Sequence, residues 1–198
     1  MKRYCLYLFI LIGISCSAEL KAQKNGTVYK GNDPAVRYTG RTLVSSDGSV
    51  AFDWVGTYLE TRFTGGKLSV KVSETGTSYY NVFVDGKLHK VVKVCGTDTL
   101  IHLVSGIDKR IHSLKIQKRS EGEFGKTTVH QFVLSGSGRL AEELAVRTRH
   151  IEFIGNSLTC GYGTDGKHRD EPFLVETENC NLTFASMVCL LYTSDAAD

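Results

Sequence analysis

The sequence predicts a mostly β protein: a jelly-roll-like β-sandwich over residues 28–145, followed by the first strand and loop of an α/β domain. Three observations predict it. Short runs of alternating apolar and polar residues recur from Val28 to about Leu144. Glycine dipeptides of the kind that close hairpins separate those runs. A strand-like run then ends in a Gly-x-Ser turn, "IEFIGNSLTCGYG", at residues 151–163.

The first residues stand apart from this pattern. "MKRYCLYLFILIGISCSAELKAQ" has Lys2 and Arg3, an apolar stretch from Tyr4 to Ile14, and small residues after it. That is the layout of a secretory signal peptide over residues 1–22, too short for a stable membrane span. Cleavage after Ala22 and lipidation at Cys16 are the two processing routes, of which simple secretion fits better because Gly13 stands where lipid signals usually have Leu. A secreted or periplasmic protein is expected, with a lipid anchor as the alternative.

The strands follow in order. "GKLSVKVSE" places Leu68, Val70 and Val72 on one face and Lys67, Ser69 and Lys71 on the other. In "YYNVFVDGKLHKVVKV" two alternating runs flank Asp85-Gly86, the signature of a two-residue hairpin. Asp47-Gly48 and Gly65-Gly66 punctuate in the same way, and "TLIHLV", "IHSLKIQKR" and "TTVHQFVLS" are further strands. Pro34 and Pro172 interrupt none of them. Only "GRLAEELAVRT", residues 138–148, reads as a short linking helix. Strands this close together point to an antiparallel sandwich large enough to bury its own core.

Composition narrows the function. The net charge of +3 comes from 24 Lys and Arg scattered among 21 Asp and Glu, with no basic block, which argues against a nucleic-acid surface. Beyond residue 22 the cysteines are Cys95, Cys160, Cys180 and Cys189, at spacings that match neither a CxxC metal site nor a dense disulfide scaffold. One disulfide is permitted in an exported protein, and packing as small apolar side chains is the other fate. Trp54, Tyr58, Tyr79 and Tyr80 could form an aromatic glycan platform, but ordinary core and sheet-face aromatics is the favoured reading of each, since strands are rich in aromatics whatever their function.

The last ten residues, "CLLYTSDAAD", back-translate without a mismatch to a transposon-end sequencing adapter. Residues 189–198 are therefore expected to be an adapter-derived tail, with the natural sequence running on differently after Val188. In "IEFIGNSLTCGYG" the buried strand "HIEFIG" should deliver Ser157 to the carboxyl edge of a sheet, where substrates of open α/β folds bind. Amides of the following turn can then receive the charge of a tetrahedral intermediate. Gly155 and Ser157 are spaced as in a GxSxG elbow, but Thr159 occupies the second glycine position, and Ser157 could equally cap a helix.

"IEFIGNSLTCGYG" resembles the first conserved block of the SGNH, or GDSL-like, hydrolases. The preceding "VRYTGR", "VAFDWVGTYLETRFTG" and "YYNVFVDG", and the later "ETENCNLTFASMV", resemble carbohydrate esterase family 2. The resemblance spans residue 28 to Val188 and implies a truncated SGNH-hydrolase domain over residues 146–188. By position Ser157 is the implied catalytic nucleophile, with its own N–H in the oxyanion hole; Asn156 stands where many relatives have Asp. The family's block II glycine, block III asparagine and catalytic histidine have no match, and His150 and His168 are not substitutes.

The resemblance implies a secreted esterase that removes O-acetyl groups from plant polysaccharides such as xylan or mannan. It implies no metal or organic cofactor, with acetylated polysaccharide as partner. This 198-residue chain should then be inactive alone, and residues 156–198 should be loosely docked. A non-catalytic glycan-binding sandwich is the competing reading, and a lipid esterase is a further one.

Overall fold

The computed structural model describes residues 26–141 and 150–194. The signal peptide, the Cys16 alternative, residues 142–148 of the expected linking helix and the last four residues of the tail lie outside them. Twelve strands and two helices are described. They are β1 (Gly26–Lys30), β2 (Val36–Thr39), β3 (Leu43–Val44), β4 (Val50–Phe52), β5 (Tyr58–Thr64), β6 (Lys67–Glu74), β7 (Thr77–Val84) and β8 (Lys87–Cys95), then β9 (Thr99–Val104), β10 (Ile111–Lys118), β11 (Thr127–Ser135) and β12 (Arg139–Ala141). The helices are α1 (Ser157–Cys160) and α2 (Phe184–Ser194). No helix among the described residues is long and apolar enough to cross a membrane.

The strands form two six-stranded antiparallel sheets. One runs β3-β4-β11-β6-β9, with β1 also on β11; the other runs β12-β5-β10-β7-β8, with β2 also on β5. Alternation decides what faces inward. Leu68, Val70 and Val72 of the first sheet meet Leu59, Phe63, Tyr80, Val82, Leu114 and Ile116 of the second in one buried core. The Asp85-Gly86 hairpin has φ of 50° and 75°, the positive pair that a right-twisted two-residue turn requires.

One feature is invisible to simple alternation. Val129 and Phe132 are three positions apart, so an unbroken strand would put one of them outside. The register of β11 against β6 shifts between Val129 and Gln131, leaving His130 as the extra residue, and both apolar side chains are buried. Two expectations change near the end of the domain. Arg139–Ala141, expected at the start of a helix, is instead a strand paired to β5 at Arg62–Thr64. "HIEFIG" is not a buried strand: no strand is assigned there, and Ile154 is 90% exposed. A parallel strand is stable only with neighbours to pair its backbone groups, and none lies beside it among the described residues.

His112 of β10 closes one end of the sandwich. Its buried ring bonds through Nδ1 to Asp85 at 2.7 Å and through Nε2 to Asp108 at 2.9 Å; ionised carboxylates only accept, so the charged ring is the form that can donate to both. The Asp85 bond raises the imidazole pKa, with Asp108 adding to it against the opposing effect of burial. Asp108 is lowered to about 2, chiefly by the Arg110 N–H, and Asp85 is lowered chiefly by His112. The imidazolium contribution is therefore complete below the ordinary histidine value of 6.5 and fades as pH rises through the raised one. The carboxylates' share fades only in acid, as pH falls from 3.8 through their depressed values. The melting-temperature gap between wild type and His112→Asn should be widest from about pH 4 to 6.5 and shrink by about pH 9. A gap constant over that range would contradict the charged pairing.

Candidate functional site

Ser157 opens α1, and Asn156 caps it, its Oδ1 accepting from the Leu158 N–H at 3.1 Å. Asn156 thus does what an aspartate would do at an N-cap, by shape and without charge. Gly155 has a steric reason: a Cβ there would lie 2.0 Å from Thr159 Oγ1. The threonine that breaks the GxSxG pattern folds back over the glycine. The Thr159 and Cys160 amides both bond to Asn156 O, at 2.9 and 3.1 Å. Ser157 itself is exposed, and neither its hydroxyl nor its N–H has a hydrogen-bond partner among the described residues.

The turn is held from below by the outer face of the second sheet. Arg119, immediately after β10, carries a guanidinium only 2% exposed. Its Nε donates to Glu178 O at 2.8 Å, Nη2 to Glu176 O at 3.2 Å and to Asp165 Oδ2, and Nη1 to Asn81 Oδ1 at 3.4 Å. Asn81 of β7 donates to Asn179 Oδ1 at 2.9 Å, and Asn179 donates through Nδ2 to Asp165. The Asn179 N–H then reaches Gly161 O, directly after α1, at 3.0 Å. Cys180, buried beside them, donates to Lys118 O at 3.3 Å. Residues 161–180 thus meet the sandwich through directional bonds from side chains and main chain. Buried hydrogen-bond donors met by fixed acceptors supply what the missing sheet neighbours do not.

Acidic groups gather on the other side of the turn. Tyr162 stacks on Phe173 with ring centroids 4.2 Å apart, and its hydroxyl donates to Glu121 and to Glu123. Glu178 is fully buried, accepts from the Glu121 N–H at 3.2 Å, and is pushed up to about 7 by that burial. Burial, with help from Glu121, pushes the Cys160 thiol up to about 12.

The other sequence candidates scatter. His150 and His168 are exposed, and no imidazole bonds to Ser157 among the described residues. The four aromatics form no shared platform. Tyr80 is buried in the core against Thr127, whereas Tyr79 faces outward to Glu176 Oε2 at 3.3 Å. Tyr58 lies beneath the Lys115 ammonium at 4.3 Å, and exposed Trp54 lies under the Arg41 guanidinium at 5.4 Å. Among the described residues Cys95, Cys160, Cys180 and Cys189 form no disulfide. Arg119, which positions the turn, carries little signal in the sequence: a basic pair, Lys118-Arg119, closes a strand whose Leu114 and Ile116 face the core.

Comparison with known proteins places these features. Residues 38–143 match the family model described as carbohydrate esterase 2 N-terminal. The chain is 31% identical over 156 residues to the cellulase/esterase CelE of Acetivibrio thermocellus, covering 79% of this chain and 19% of that protein. It is 29% identical over 135 residues to an acetylxylan esterase / glucomannan deacetylase of Cellvibrio japonicus, covering 68% and 37%. A solved family two carbohydrate esterase from Clostridium thermocellum, in complex with cellohexaose, superposes with a TM-score of 0.74 at 31% identity, over 78% of this chain and 47% of that one. The chain thus spans less than half the length of these relatives.

Removing the buried guanidinium should release the serine turn while sparing the sandwich. Breaking a buried charge pair costs about 3–5 kcal/mol, reduced here because Asp165 is a third exposed. Arg119→Met should raise amide hydrogen exchange over residues 157–182 at least about tenfold and leave β6, β7 and β11 protected. Unchanged exchange in that segment would contradict the anchor.

Proposed function

The chain belongs to the carbohydrate esterase 2 family through its N-terminal sandwich, and from that premise we propose that it is part of a secreted serine esterase that removes O-acetyl groups from plant polysaccharides such as xylan or mannan. The observation that carries the reading is Ser157. It is an exposed hydroxyl at the start of a helical turn, anchored to a family sandwich, with its own N–H unengaged among the described residues. One relative, named for acetylxylan and glucomannan, supports this substrate class, and another, solved with cellohexaose, supports a glycan as the bound polymer.

In the proposed reaction the Ser157 oxygen attacks the acetyl carbonyl while a general base takes the hydroxyl proton. The carbonyl oxygen becomes an oxyanion held by the Ser157 N–H. Collapse expels the sugar alkoxide, which takes that proton, and leaves an acetyl-enzyme that water hydrolyses to acetate. We assign the base, and the further oxyanion donors of the SGNH pattern, to sequence outside these 198 residues, consistent with the share of the relatives that they span. Apolar surface left open around the turn by Ile151, Ile154, Leu158, Phe184 and Met187 supports further chain packing there. The signal-like residues 1–22 support export. That the sandwich alone binds glycan stays as the second reading, favoured by exposed Trp54.

The deciding assay measures acetate release from acetylated xylan by the extended reading frame, its Ser157→Ala variant and the 198-residue chain. The extended protein should be active and the variant lower by about 1,000-fold or more, with the short chain equally poor because a serine without its base is a weak nucleophile. An unchanged rate in Ser157→Ala would remove the esterase reading, and an active short chain would return His150 or His168 to consideration.

A further inference from the structure

Behind the serine turn, three elements distant in sequence bring potential metal ligands to one point. Glu121 follows β10, Cys160 ends α1, and Glu178 lies between the 3-10 turns Val175–Thr177 and Cys180–Leu182. One carboxylate oxygen of each glutamate and the Cys160 sulfur all lie within 4.8 Å of one another. Acidic clusters are common on surfaces and mean little there. This one is different, because Glu178 has no exposed surface and its Oε1 has no hydrogen-bond partner among the described residues. Its other oxygen accepts from the N–H of Glu121, itself a member of the cluster, at 3.2 Å. A buried acceptor left unsatisfied normally costs about 1–3 kcal/mol, and a cation would satisfy it.

We propose that Glu121, Cys160 and Glu178 bind a zinc ion that clasps the serine turn to the edge of the sandwich. The ligand set selects the metal. A thiolate excludes magnesium and calcium in favour of a borderline-soft ion, and zinc takes mixed sulfur and oxygen ligands in a four-coordinate site. Three protein ligands leave the fourth position to water. On binding, the thiol loses its proton to solvent and sulfur donates the freed pair to the metal; any proton on Glu178 leaves in the same way. Metal-free, these groups disfavour their anionic forms: Cys160 is pushed up to about 12 and Glu178 to about 7, burial being the larger cause in each. Ester cleavage by the proposed mechanism does not call for this ion, so the role assigned to it is to fix α1.

Tyr162 and Cys180 bound the site without belonging to it. Tyr162 occupies one Glu121 oxygen as a donor, and the Cys180 thiol is committed to Lys118 O. The test uses the whole chain, stripped with chelator and titrated with zinc, then with cobalt as a spectroscopic substitute. One metal per chain is expected, with a near-ultraviolet sulfur-to-cobalt charge-transfer band. Cys160→Ser should abolish the band and weaken zinc binding at least about tenfold, and Glu178→Gln should weaken it similarly while keeping the band, since removing one ligand of a buried site loses that much. Cys180→Ser and Cys95→Ser should retain both. Should the variants misfold, wild type still decides: zinc should protect Cys160, and not Cys95, from alkylation read by mass spectrometry. No stoichiometric uptake at micromolar zinc, or uptake that leaves Cys160 as reactive as before, would overturn the proposal.

Discussion

The placement of the serine turn rests on a guanidinium with nowhere to put its charge except into fixed acceptors. Arg119 stands on the outer face of a sheet, where arginine would ordinarily extend into water. Here it is covered by residues 161–180, and its donors meet two backbone carbonyls, an amide oxygen and a carboxylate. Arginine suits this position because its planar fork offers several donors in a fixed geometry, which a lysine could not reproduce. Two of the acceptors, Glu176 O and Glu178 O, are backbone atoms, so the guanidinium fixes main chain as well as side chains. Asn179, one residue on, carries that order to Gly161 and so to α1.

This arrangement explains why a segment with little regular structure stays in place. Residues 161–183 contain only short 3-10 turns, and Phe173, Leu174 and Leu182 are exposed. Apolar burial is therefore a minor part of what holds the segment. Directional bonds to β7 and β10 take its place, with buried Cys180 adding a small apolar contact at the same face. Sheet and turn together present Ser157 outward, capped by Asn156 and spaced by Gly155 and Thr159, with Glu121, Cys160 and Glu178 behind it.

Much of the sandwich was legible in the sequence because its information is local. Period-two alternation placed Leu68, Val70 and Val72 inside, and Asp85-Gly86 supplied the turn. What was not legible depends on distant partners. Nothing near His130 announces a bulge; it follows from the need to bury both Val129 and Phe132. Arg119 reads as a surface charge until Asp165, 46 positions on, and Glu178, 59 positions on, come to cover it. "HIEFIG" failed in the opposite sense. Its apolar content suits a buried strand, but a strand exists only where another pairs with it. Ser157 is singled out by the resemblance of its block to the SGNH pattern and not by the Gly-x-Ser spacing alone, while the reason Thr159 can replace a glycine lies in the packing of its side chain.

Burial of the Arg119 guanidinium against residues 161–180 in solution is tested most directly by its own side-chain resonance. In a proton–nitrogen NMR spectrum of the intact chain, the Arg119 Nε–H should give a sharp signal in slow exchange with water. It should show nuclear Overhauser contacts to the Glu178–Asn179 backbone. An Arg119 Nε–H that exchanges as fast as those of exposed Arg110 and Arg169, with no contact to that segment, would contradict the account.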